Sequence, residues 1–114
     1  MAKSNVQKTY ALVIGIVALL VGIWGLFTTA VLVFGVNMLQ SVVHIVAGAC
    51  GIYSGTKGKG KGFNMWLGWI SLVLALLGFV AADFMASFLG VNMATTWLHL
   101  VVGVVSLLVA YFVK

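Results

Sequence analysis

The side chains of this chain best suited to chemistry are two histidines, His44 and His99, and its only acid, Asp83. The histidines sit in matching frames. FGVNMLQSVVHIVAGACGIY, residues 34–53, aligns without gaps on LGVNMATTWLHLVVGVVSLL, residues 89–108, with GVNM, a histidine, a valine and a glycine in register. The candidate polar site is therefore Asn37, Ser41 and His44 with Asn92, Thr96 and His99, and Asp83 as the one available carboxylate.

Three uses suit that set. Neutral imidazoles can hydrogen-bond across a helix bundle, to Ser41 or Thr96, and lock its packing; this is the expected role. Two histidines at one depth on parallel helices can also offer axial ligands to a haem iron, so haem with His44 and His99 as ligands is the alternative cofactor to none at all. With Asp83 they can instead form a proton or ion site, because ionisable groups inside a membrane often mark such pathways. One acid excludes a hydrolase triad. KGKGKG is a flexible loop and not a phosphate-cradling strand–helix turn. Two histidines, one cysteine and one acid are too scattered for a tetrahedral zinc site, so no metal site is expected, and the chain is not expected to be an enzyme.

These residues need helices to position them. On one helix Asn37, Ser41, His44, Gly48, Gly51 and Gly55 recur at about 100° per residue and share a narrow face. On another the matching set is Asn92, Thr96, His99, Gly103, Ser106 and Ala110. Asn37 and Asn92 each follow Gly-Val and are expected to be helix N-caps, with Gln40 in the capping-box position after Asn37. Two further faces carry small residues, Ala11, Gly15, Ala18, Gly22 and Gly25, and Gly68, Ser71, Ala75, Gly78 and Ala82. Lipid would not favour such seams, whereas helix–helix packing would.

Composition says what surrounds them. The 114 residues are 64% hydrophobic and 6% charged, with 14 glycines and no proline, and the mean hydropathy is +1.27. Seven charged side chains cannot clothe a soluble domain, in which roughly a quarter of residues are charged. Four apolar segments run from about Tyr10 to Val33, Met38 to Gly55, Phe63 to Ala82 or on to Leu89, and Met93 to Val113. Each is close to the roughly 17–25 residues a helix needs to cross hydrocarbon, and none alternates as a spanning strand would. The first exceeds the roughly 7–15 residues of a signal-peptide core and is read as a retained helix. The fold expected is all-α: one membrane domain, residues 1–114, of four transmembrane helices forming two parallel hairpin repeats, 8–55 and 63–114, about a loop at 56–62. A pseudo-twofold along the membrane normal would relate them.

Lys3, Lys8, Lys57, Lys59, Lys61 and Lys114 fall at three places that four crossings put on one side, with Asp83 on the other. The positive-inside rule then makes this a multi-pass cell-membrane protein with both termini and loop 56–62 cytoplasmic. Tyr10, Tyr53, Trp66, Trp69 and Tyr111 would anchor the cytoplasmic interface, and Trp24 and Trp97 the outer one. Cys50 reads as a small buried hydrophobe. No basic face with aromatic platforms exists for nucleic acid. The partners expected are membrane lipid, other membrane proteins, or a second copy of the chain.

The run FGVNMLQSVVHIVAGACGIYSG resembles a family of small bacterial and archaeal membrane proteins known as a domain of unknown function (4383-like). The shared pattern is Asn37, His44 and Gly48 in helix two. That resemblance implies a four-helix integral membrane protein and implies no activity.

Overall fold

The computed structural model describes residues 2–113, with side chains from Val6 to Val113. The side chain of Lys3 and the whole of Lys114, two of the six topology-setting lysines, therefore lie outside the described residues. The order is α1 (Ala2–Gly25), β1 (Ala30–Val31), β2 (Phe34–Gly35), α2 (Met38–Thr56), α3 (Lys61–Val80), α4 (Ala82–Leu89) and α5 (Met93–Phe112). The segments Val6–Gly25, Met38–Thr56, Lys61–Val80 and Met93–Phe112 are long and apolar enough to cross a membrane. At about 1.5 Å per residue each spans close to the ~30 Å of bilayer hydrocarbon. The chain is a membrane protein built on four such helices, within an envelope of 44 × 28 × 18 Å.

α1 packs along α2, and α3 along α5. Small residues set both seams. A Cβ on Gly15 would meet Ile52 N at 2.7 Å, and one on Gly48 would meet Leu19 N at 2.6 Å and Gly15 O at 2.7 Å. In the second hairpin a Cβ on Gly68 would meet Leu107 N at 3.1 Å, and one on Gly103 would meet Leu72 N at 3.0 Å. Ser41 covers Gly25, and Thr96 covers Gly78. Residues 15, 19 and 25 thus correspond to 68, 72 and 78 at one constant shift, and 41, 48 and 52 to 96, 103 and 107 at another.

The interior is small and polar, and the bulk points outward. Ser41, Asn64 and Ser106 are wholly buried, while Phe27, Phe112 and Trp66 are 84%, 80% and 71% exposed. Water would punish that arrangement. Hydrocarbon favours it, because apolar side chains lose nothing by facing lipid and backbones gain close contact.

Three sequence expectations change. The first apolar segment does not stay helical to Val33. α1 stops at Gly25, and Thr28 Oγ1 donates to Ala30 O at 3.1 Å and accepts from Ala30 N at 3.4 Å. Such short hydroxyl-to-backbone bonds compete with the helical ladder. The chain then forms a two-residue antiparallel pair, Ala30 opposite Gly35 and Val31 opposite Phe34, with Leu32 at φ 58 in the turn. The third segment breaks at Ala81 (φ −139, ψ 53), so α4 is a separate short helix rather than the end of α3. Met85 and Leu89 of α4 bury with Val91 against Leu74 and Leu77. Gly90 closes α4 in the left-handed region at φ 69, where a Cβ would also strike Val36 C at 2.7 Å. Cys50, expected inside, is exposed. It lies two helical steps past Gly48, about 200° around, and so on the opposite face.

Candidate functional site

Polar side chains gather at both ends of the bundle and at the histidine level between. At the end opposite the lysine loop, both asparagines cap as expected. Asn37 Oδ1 accepts from Gln40 N at 2.9 Å, and Asn92 Oδ1 accepts from Thr95 N at 2.9 Å. Their amides then cross between hairpins: Asn37 Nδ2 donates to Phe88 O at 3.0 Å, and Asn92 Nδ2 donates to Val33 O at 2.9 Å. Residues 33 and 88 stand one position before the two aligned segments, at the same shift, so the exchange is reciprocal.

Gln40 corrects the capping-box expectation. Its side chain does not turn back to Asn37 but donates to Gly35 O at 3.1 Å and Leu89 O at 2.6 Å. Thr95 Oγ lies 3.0 Å from Gly35 O and 2.8 Å from Asn92 Oδ1, and its single proton serves one of these at a time. The acceptors need this help because Phe88 and Leu89 end α4, where last-turn carbonyls have no helical partner, and Val33 lies in the turn between β1 and β2. Asn37→Ala and Asn92→Ala are each expected to lose about 1 kcal/mol of stability from the cap. The double variant should lose less than the sum, since both remove one shared knot. Reversible unfolding in mild detergent measures this, and strict additivity would disprove the knot.

The lysine end has a second knot that sequence reading missed. Gln7 Nε2 donates to Val109 O at 2.7 Å and Val113 O at 2.6 Å, joining α1 to the last turn of α5. Asn64 Nδ2 donates to Gln7 Oε1 at 2.9 Å and Gln7 O at 3.1 Å, adding α3. Tyr10 and Ser106 share a hydroxyl bond of 2.7 Å. A signal was present, since Gln7 and Asn64 each stand four residues before a seam residue, Ala11 and Gly68, and continue the small-residue faces.

Between the knots lie the histidines. His99 is buried and His44 half-buried. The expected hydrogen bonds to Ser41 or Thr96 are not made. His44 Nδ1, His99 Nδ1 and Ser41 Oγ are all buried without a partner. Buried polar atoms are seldom left so, and these are candidates to meet a water, a proton or a ligand. Thr96 is wholly buried over Gly78. Asp83 does not join this level. It stands exposed in the first turn of α4, where a carboxylate suits the helix dipole. Among the described residues no three of His, Cys, Asp and Glu come together.

Residues 7–112 match the family model described as a domain of unknown function (DUF4383). No curated protein and no solved structure matches the chain.

Proposed function

We propose a role for this protein from one premise: the chain belongs to the family of the domain of unknown function DUF4383. Its role in this reading is structural, as an accessory subunit or self-associating partner within the membrane, without enzyme chemistry. One observation carries it. The amides of Gln7, Asn37, Gln40, Asn64 and Asn92 all end on other elements of the same chain and so hold the bundle together. Between the two ends, what faces outward is mostly apolar. Lys8, Lys57, Lys59 and Lys61 share one end, which the positive-inside rule assigns to the cytoplasm. The two constant shifts and the reciprocal asparagine bonds support a pseudo-twofold between the hairpins. In native-membrane nanodiscs the protein is expected in a fixed ratio with a second polypeptide or a second copy. A population that is solitary at native expression rejects the role.

A second reading rests on the orphaned His44 and His99 nitrogens. As acceptors facing no donor, they suit a proton, an ion or a haem iron. A Soret band, or proton flux in liposomes, that disappears in both His44→Ala and His99→Ala would establish it. A colourless, flux-free protein whose alanine variants lose only thermal stability would leave the histidines as packing groups.

A further inference from the structure

The lysine end has features that holding the bundle together does not use. The turn between α2 and α3 folds against the start of α1. A Cβ on Gly60 would meet Lys8 N at 2.9 Å, and one on Gly55 would meet Lys8 O at 2.7 Å. Lys8 is thereby drawn beside Lys57, Lys59 and Lys61, the last three of which are exposed. Asp83, the only acid, is at the other end of α3. Four lysines are thus gathered at one end, and among the described residues no acidic side chain lies there to balance them.

Deeper along α3 is an apolar surface. Trp66, Trp69, Ile70, Val73 and Leu74 line a shallow depression on α3. Trp66 begins five residues after Lys61, about 7.5 Å deeper at the helical rise. Val6, Thr9, Tyr10 and Val13 line a second depression on α1, around the level of Lys8. Trp69 Nε1 donates to Tyr111 OH at 3.3 Å, tying α3 to α5 at the depth where aromatic side chains favour the headgroup boundary.

We infer that this end binds an anionic phospholipid, its phosphate held by Lys8, Lys57, Lys59 and Lys61 and an acyl chain lying along the groove from Trp66 to Leu74. A phosphate above and a chain below fit one molecule with both parts, whereas a soluble anion would use only the lysines. Basic clusters at a membrane surface draw anionic headgroups with an energy that grows with each lysine. The inference stands apart from the structural role proposed above and does not depend on which leaflet the lysines face.

The full chain, reconstituted in phosphatidylcholine vesicles containing a minor fraction of lipid brominated on its acyl chains, tests it. Bromines quench tryptophan on contact. At equal mole fraction, brominated phosphatidylglycerol is expected to quench more than brominated phosphatidylcholine, and Trp66→Phe with Trp69→Phe should remove the difference. Lys57→Gln, Lys59→Gln and Lys61→Gln together should lower the anionic preference by about tenfold or more, while the arginine versions keep it. The glutamine changes lie in an exposed turn, so an unchanged melting temperature marks them as folded. Equal quenching by the two lipids overturns the inference, as does a preference that survives the glutamine changes. Loss of the preference on adding inorganic pyrophosphate at low millimolar concentration would assign the lysines to a soluble anion and overturn it too.

Discussion

Gly48→Val is expected to cost about 3 kcal/mol or more, the largest loss for any single substitution considered, because the added methyls have nowhere to go. A Cβ there would lie 2.6 Å from Leu19 N, 2.7 Å from Gly15 O and 2.8 Å from Leu19 Cα. All three are backbone atoms of α1, so no side chain can swing aside. Relief requires α1 and α2 to separate along their length, and separation forfeits the close contact that drives helix association in lipid. Gly62→Ala is the control, since a Cβ there meets nothing within 4 Å. Unfolding measured in the same detergent should separate the two variants clearly. If Gly48→Val unfolds with the wild type, the seam between α1 and α2 is not as close as described.

Gln7→Leu is the second large effect. The amide makes two bonds to Val109 O and Val113 O and accepts one from Asn64 Nδ2. Hydrogen bonds inside membranes average about 0.6 kcal/mol by double-mutant cycles, so losing three predicts about 2 kcal/mol. Asn64 is wholly buried and keeps its bond to the Gln7 backbone carbonyl, so the single N–H left without Gln7 Oε1 is the costlier part. Adding Asn64→Leu to Gln7→Leu should therefore cost little more and fall short of the sum of the single changes, because no buried donor is then stranded. Additive losses in that cycle would show that the two amides act separately.

Why some of this could be read from sequence and some could not follows from where each constraint comes from. Four apolar runs with lysines between them leave the chain no soluble option, so the four helices long enough to span were legible in composition and spacing. The seam residues were legible too: Gly15, Gly48, Gly68 and Gly103 recur at helical intervals and are buried as expected. The stretch from Leu26 to Gly35 was not, because its shape depends on Thr28 bonding its neighbours and on Asn92 reaching Val33 from a distant segment. The break at Ala81 has no proline or glycine to announce it. α4 is held instead by burial of Met85 and Leu89. Cys50 was misjudged because apolar neighbours in sequence do not say which side of a helix meets lipid. Nothing in the local sequence around Gln7 and Asn64, close to the lysines, says that their amides meet. The candidate histidines were found by the repeat, but their unpaired nitrogens depend on distances that no spacing reveals.

The latch from Gln7 to Val109 and Val113 also bears on how the molecule is made. Ribosomes deliver α1 first and α5 only after the three helices between them, so the earliest helix must wait with its amide unsatisfied until the latest arrives. The first hairpin can zip its glycine seam at once. The lock that joins beginning to end closes last, which makes completion of the final helix the event that commits the whole bundle.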